Sequence, residues 1–172
     1  MKTIPAVLVI VLVCTKMYTV QAQDFLSDFD EKWKNARNYT LEVVDSLPED
    51  ALDFIPTDGM MSAREQLEHI QKNILWLGGT YLFADTTGLG AKYQGLSKRE
   101  IHTKLGDTFE AVSVAINKLD EAQLNEEVQF FAGIKSRRQM LVLINDHLTH
   151  HRGQLIVYLR LSGASAPRYR GW

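Results

Sequence analysis

The sequence predicts an all-α protein folded as a four-helix bundle. Three segments begin with the same signal, a serine followed three residues later by glutamate or glutamine: Ser62 to Glu65, Ser97 to Glu100 and Ser136 to Gln139. In this capping box the two side chains satisfy free backbone N–H groups at the start of a helix. Apolar residues then recur every three or four positions, which indicates helices with one buried face. Four such helices pack most economically as a bundle.

The predicted helices cover residues 24–47, 63–83, 98–119 and 137–161, and the last stops before Gly163. The connection 84–96 contains three glycines. Fully extended, it would reach about 40 Å, which exceeds the roughly 30 Å length of a 20-residue helix. A crossover between the second and third helices is therefore allowed.

One short segment has the composition of a strand. Val128-Gln129-Phe130-Phe131 is isolated within residues 127–134, without a second strand pattern beside it. Because the stretch is isolated, we expect a structured loop here.

The first 22 residues have the pattern of a cleaved signal peptide. Lys2 precedes an uncharged apolar run at residues 5–13, and Val20 and Ala22 occupy positions −3 and −1 of a cut before Gln23. Lys16 interrupts the apolar stretch, which disfavours the alternative of a retained membrane helix. We therefore expect an exported protein, periplasmic or extracellular, with no stable membrane span after cleavage. Residues 23–172 would form a single four-helix bundle domain.

Composition limits the function classes. The 172 residues are 45% hydrophobic and 23% charged, as in an ordinary globular domain. Removal of Lys2 and Lys16 leaves 17 basic against 21 acidic residues, a formal charge of −4. Without a basic face, nucleic acid is not an expected partner. Cys14 is the only cysteine, so the mature chain would have no disulfide, thiolate ligand or cysteine nucleophile.

The last predicted helix carries three histidines in a short run. His147 and His151 are four residues apart and therefore lie on one face about one turn apart, on or near the apolar stripe. Two imidazoles in an apolar setting each need a polar partner, so the pair suggests a metal site, with hydrogen-bonded core histidines as the alternative. His150 points to the other side of the helix. We expect it to lie at the surface or to contact a metal-binding residue, and not to bind the metal itself.

Two further histidines are less informative. His69 lies near the boundary of the second helix's apolar stripe, so periodicity leaves it undecided between a ligand and a boundary residue. His102 has no evident partner, and we expect it to be exposed to solvent.

Two segments resemble the DinB-like (YfiT-like) superfamily of metalloenzymes. They are residues 62–70 of the second helix and residues 147–155 of the last helix, which contain the pattern HxxHHRGQ. The ending at residues 159–163 is also similar. The resemblance implies that His69, His147 and His151 together bind a metal. It further implies that the second and third helices run parallel, and relatives suggest a homodimer.

Two functions remain open at this point. One is an exported metal-dependent hydrolase or transferase whose three histidines hold a divalent ion, with zinc preferred over nickel, iron or manganese. Some relatives resemble S-transferases and isomerases that use glutathione, mycothiol or bacillithiol, but those thiols are cytosolic. The alternative is a non-catalytic metal-binding or interaction bundle with a structural ion. A fourth protein ligand, for which His150 is the best candidate, would favour the alternative.

Charged residues near the histidines supply few candidates for acid or base chemistry. Glu65 and Glu68 lie within a turn of His69, where a carboxylate could orient an imidazole, but a solvated helix face and the capping box are the favoured interpretation. Asp146 points away from the inner face. Arg152 is expected either to hold an anionic group of a substrate or to pair with an acidic residue of another helix.

Overall fold

The computed structural model describes the backbone from Ala6 to Trp172 and the side chains from Phe25 onward. Within these residues the chain forms five α-helices, a single turn of 3-10 helix and one hairpin. In chain order they are α1 (Ala6–Ser46), the 3-10 turn (Glu49–Ala51), α2 (Ala63–Tyr81), α3 (Lys98–Ile116), α4 (Glu121–Asn125), β1 (Glu127–Phe130), β2 (Gly133–Ser136) and α5 (Arg137–Leu161).

The predicted all-α bundle is confirmed, and its helices begin where the capping boxes predict. The hydroxyls of Ser62, Ser97 and Ser136 each accept the backbone N–H three residues on, and the Glu or Gln at that position accepts the serine N–H. A fourth box, formed by Asp120 and Gln123, begins the short α4. Local sequence therefore sets the start of every helix after α1.

The helix ends differ slightly from those predicted. α2 ends at Tyr81 rather than near residue 83, because Phe83 adopts a positive φ of 62° that a helix cannot contain. α3 ends at Ile116, three residues early. α5 spans the predicted residues, and Gly163 follows it with a φ of 81°.

The N-terminal helix extends beyond its predicted start. α1 begins at Ala6, whereas the prediction placed its start at residue 24. Most of the predicted signal peptide therefore has a helical backbone, and its residues 1–5 lie outside the described residues. A helix is compatible with a leader that is removed and with one that is kept, so cleavage stays a prediction. Among the described helices, none has the length and hydropathy needed to cross a membrane.

The prediction of a loop at residues 127–134 is wrong, because β1 and β2 form an antiparallel hairpin. Val128 pairs with Lys135, and Phe130 pairs with Gly133, whose φ is 95°. The second strand is short and partly polar and runs directly into the cap of α5. It has no alternating apolar pattern by which sequence reasoning could have found it.

The four long helices are arranged with the expected crossover. α2 packs on α5 and α3, and α1 packs on α3 and α5, so α1 and α2 are diagonal partners. The Arg64 guanidinium in the first turn of α2 donates to the carbonyl of Leu96, just before α3. The starts of α2 and α3 therefore lie at the same end of the bundle and the two helices run parallel.

α5 runs in the opposite direction to α2. The hydroxyl of Tyr158, near the end of α5, donates to the carbonyl of Met61 just before α2, at 3.0 Å. At the other end, the Arg137 guanidinium at the start of α5 donates to the carbonyl of Tyr81 at the end of α2. This antiparallel pair of helices carries the candidate site.

Gly78 marks a close approach of α2 to α3. A Cβ at this position would lie 2.7 Å from Cγ2 of Val112, whereas a Cβ at Gly106 of α3 would meet no heavy atom within 4 Å. Gly78 is thus packed against a neighbouring helix and Gly106 is not, so a substitution at Gly106 serves as the control for the same substitution at Gly78.

We expect Gly78→Ala to lower the free energy of unfolding by about 1–3 kcal/mol, because the added methyl overpacks the contact between α2 and α3. Gly106→Ala should raise it by about 0.5–1 kcal/mol, because alanine is the better helix former. Urea unfolding followed by circular dichroism measures both changes. Equal effects of the two substitutions would contradict the close contact at Gly78.

Candidate metal centre

The antiparallel packing of α2 and α5 brings His69, His147 and His151 together. His69 lies in the second turn of α2, and the other two lie one turn apart in the middle of α5. One ring nitrogen from each histidine lies within 4.8 Å of the others. The Nε2 atoms of His69 and His147 are 3.1 Å apart. The three residues named from the sequence thus form one cluster.

The geometry of the cluster fits a divalent ion. Two nitrogens bound to one tetrahedral zinc ion at its usual bond length are about 3.3 Å apart. The separation between His69 and His147 is close to that value, and the His151 ring centroid lies 4.4 Å from that of His147 and 4.5 Å from that of His69. Three neutral imidazoles are ligands that zinc and other divalent transition metals accept.

The cluster lies at the edge of the core rather than within it. All three histidines are half-buried, whereas Leu148 and Leu155 on the inward face of α5 are fully buried. The expectation that His147 and His151 lie on or near the buried apolar stripe is therefore met only at its edge. The three imidazoles therefore remain partly accessible to water.

The surroundings keep the imidazoles neutral. Burial lowers the pKa of His147 to about 4, and the neighbouring His69 and His150 add to the effect. Burial also lowers the pKa of His151 to about 4, with contributions from His147, His69 and His150. The pKa of His69 is lowered by burial and then by the charge of Lys72. At neutral pH each ring therefore has a free lone pair, the form that binds metals.

A buried glutamine contacts the cluster and was not predicted. The Oε1 atom of Gln66 lies 2.6 Å from Nδ1 of His151, and its Nε2 donates to Oε1 of Gln154 at 2.5 Å. Gln66 lies one turn before His69 on α2 and is only 3% exposed. The sequence signal that could have indicated Gln66 is an amide on the buried face of α2. Its partner could not be predicted, because it depends on which helix packs against α2.

The other candidates are engaged elsewhere or exposed. His150 is exposed and hydrogen-bonds through Nε2 to the side chain of Gln154. Asp146 is exposed, as expected. His102 is half-buried and lies 3.5 Å from a carboxylate oxygen of Asp45, a partner that the sequence did not indicate.

The two glutamates near His69 have structural roles. Glu65 accepts the backbone N–H of Ser62, which completes the capping box as expected. Glu68 accepts the backbone N–H of Tyr93 at 2.8 Å and pairs with Lys72. The Lys72 and Tyr93 contacts lower the pKa of Glu68 in spite of its desolvation on burial, which acts in the opposite direction. Glu68 therefore fixes the crossover against α2.

Arg152 meets neither expectation for it. Its buried guanidinium contacts α1, where it donates to the carbonyl of Ala36 and the hydroxyl of Thr40 and lies over the ring of Tyr39. None of the described acidic side chains forms an ion pair with it. Arg152 thus joins α1 to α5 on a different side from the histidines.

The lowered pKa values of His147 and His151 predict a pH-dependent stability of the metal-free protein. Their pKa is about 4 when folded and 6.5 when unfolded. The unfolded chain therefore binds more protons between these values, and stability falls as pH decreases from 6.5 toward 4.

Urea unfolding with a chelator present, between about pH 7.5 and pH 5, measures this loss. The variant His147→Gln, His151→Gln should lose less stability than the original protein. His102→Gln is the control, because His102 lies outside the cluster and is not among the groups that lower these two pKa values, and it should behave like the original protein. An equal loss in all three proteins would contradict the lowered pKa values.

Comparison with known proteins places this chain in a family. Residues 32–155 match the model of the DinB superfamily. YjoA, an uncharacterized protein of Bacillus subtilis (strain 168), is 31% identical over 136 residues, which cover 74% of this chain and 84% of that protein.

Solved structures agree with the fold. The crystal structure of the DinB-like protein YjoA from B. subtilis has a TM-score of 0.69 at 24% identity, covering 83% of this chain and 97% of that one. A DinB-like protein from Bacillus cereus ATCC 10987 has a TM-score of 0.68 at 21% identity, covering 83% and 95%. With a family model that matches most of its helices and a relative aligned over most of its length, the chain belongs to the DinB superfamily.

Proposed function

We propose that this protein binds a divalent metal ion through His69, His147 and His151 and acts as an exported metal-dependent hydrolase or transferase. One observation supports the proposal most strongly. Three half-buried imidazoles converge, and among the side chains from Phe25 to Trp172 no fourth histidine or carboxylate joins the cluster. Structural zinc sites use four protein ligands, whereas catalytic sites use three and keep one position for water or substrate.

The surrounding contacts favour an open site over a structural one. His150, the residue best placed to close the site, hydrogen-bonds to Gln154 instead. Glu65 accepts a hydrogen bond in the capping box, and Glu68 accepts one from the crossover. An ion held by His69, His147 and His151 would lower the pKa of a bound water or thiol or would polarise a substrate carbonyl. Zinc is the preferred ion, and nickel, iron and manganese are the alternatives.

The experiment is a titration of the chelator-treated protein with Co²⁺, whose visible absorption reports its ligands. We expect saturation at one equivalent, with the intense bands of a four-coordinate ion. His147→Ala, His151→Ala should remove these bands, because only one imidazole remains. His102→Ala, His150→Ala removes two histidines outside the cluster and should titrate like the original protein. Equal binding by the two double variants would overturn the proposed metal site.

Azide added to the Co²⁺ protein separates the catalytic from the structural alternative. An open coordination position admits the anion and shifts the absorption bands. A spectrum that stays unchanged at a high concentration of azide would indicate a closed site and would favour the structural ion. The measurement needs no knowledge of the substrate.

The proposed export rests on the leader pattern of residues 1–22. We expect the secreted protein to begin at Gln23, because Val20 and Ala22 suit the −3 and −1 positions of signal peptidase. N-terminal sequencing of protein recovered from outside the cytoplasm checks this prediction. Recovery of a chain that still begins at Met1 would contradict it. Ala22→Arg should block the cut and serves as the control.

A further inference from the structure

We propose that Gln66 is a positioning residue that fixes the tautomer of His151. Its amide oxygen holds the imidazole proton on Nδ1, so that Nε2 presents its lone pair to the other two histidines. The statement about the tautomer stands on the protein's own hydrogen bonds. Only the consequence for metal affinity rests on the proposed function.

The hydrogen bonds that orient Gln66 begin at the backbone carbonyl of Met61. The hydroxyl of Tyr158 lies 3.0 Å from the carbonyl oxygen of Met61 and 3.5 Å from Nε2 of Gln66. Tyr158 is 2% exposed and Gln66 is 3% exposed, so bulk water does not substitute for these contacts. The carbonyl of Met61 can only accept a hydrogen bond, which gives the network a fixed direction.

The single proton of Tyr158 settles the orientation of the Gln66 amide. If that proton pointed to Gln66, the oxygens of Tyr158 and Met61 would face each other at 3.0 Å without a hydrogen between them. The proton therefore points to Met61, and the Tyr158 oxygen accepts from the amide nitrogen of Gln66. The amide oxygen of Gln66 then faces His151.

The orientation of the amide determines the tautomer of His151. An amide oxygen can only accept, and it lies 2.6 Å from Nδ1 of His151. A hydrogen bond at that distance requires the proton on Nδ1. A neutral imidazole carries one proton, so Nε2 has the free lone pair. Without such a partner, an imidazole exchanges between both tautomers.

Gln154 completes the constraint on Gln66. Its Oε1 accepts the second amide hydrogen of Gln66 at 2.5 Å, and its Nε2 contacts Nε2 of His150 at 2.8 Å. Both hydrogens of the Gln66 amide are thus used, and the amide cannot rotate without losing contacts. This gives the glutamine of the HxxHHRGQ segment a physical role, because it keeps Gln66 oriented.

The constraint is specific to one histidine. Among the described contacts of the cluster, His151 alone has a protein partner on Nδ1, while His69 and His147 contact each other through Nε2. His151 is therefore the one imidazole of the three that is oriented before an ion arrives. Groups that orient ligating histidines in this way typically contribute about 10- to 100-fold in metal affinity.

The test compares Gln66→Leu with Gln71→Leu. Gln71 is a fully buried glutamine on the same helix that bonds to Leu89 and Thr108 and not to a histidine, so it controls for the loss of a buried amide. Two-bond ¹H–¹⁵N correlation spectra of the metal-free protein at neutral pH identify the tautomer of His151. We expect the Nδ1–H form in the original protein and in Gln71→Leu, and a mixture in Gln66→Leu. Gln66→Glu keeps an acceptor at the same place and should retain the Nδ1–H form.

Co²⁺ affinity supplies the second readout. It should fall about 10- to 100-fold in Gln66→Leu and by less than about threefold in Gln71→Leu. An Nε2–H tautomer in the original protein, or the same tautomer in both leucine variants, would overturn the role of Gln66. If none of the proteins binds Co²⁺, the proposed function fails, whereas the spectra of the metal-free proteins still decide the tautomer.

Discussion

The antiparallel contact between α2 and α5 is the constraint on which the site depends, because the three histidines belong to these two helices. The contact is fixed at both ends by buried groups. At one end Tyr158 of α5 reaches the carbonyl of Met61 before α2, and at the other Arg137 of α5 reaches the carbonyl of Tyr81 at the end of α2. Two fixed ends define the register of the helices, and the register sets His69 against His151.

Features encoded within one helix were predictable from the sequence, and features formed between elements were not. Capping boxes depend on residues three apart, so the starts of α2, α3 and α5 were found correctly. The hairpin was missed because its second strand has no strand pattern and forms only by pairing with the first. The parallel course of α2 and α3 came from the family resemblance, since loop length only permits it.

The same distinction applies to the candidate site. The spacing of His147 and His151 places them on one face, a property of α5 alone. Periodicity did not decide whether His69 is a ligand, because the apolar pattern of α2 does not show where α5 packs against it. For the same reason the role of Gln66 was not foreseen, and Arg152 was assigned to a substrate or an acidic partner although it contacts Ala36 and Thr40 of α1.

The charge balance of the cluster bears on its chemistry. Burial keeps its imidazoles uncharged at neutral pH, and the nearest glutamates are held by Ser62, Tyr93 and Lys72. A divalent ion bound by three neutral ligands would thus retain its full formal charge, because no carboxylate among the side chains from Phe25 to Trp172 joins the cluster to offset it. Such an ion favours an anionic fourth ligand, such as hydroxide, thiolate or a substrate oxyanion. A structural site does not require an exogenous anion, so this uncompensated charge supports the proposed catalytic role over the structural alternative.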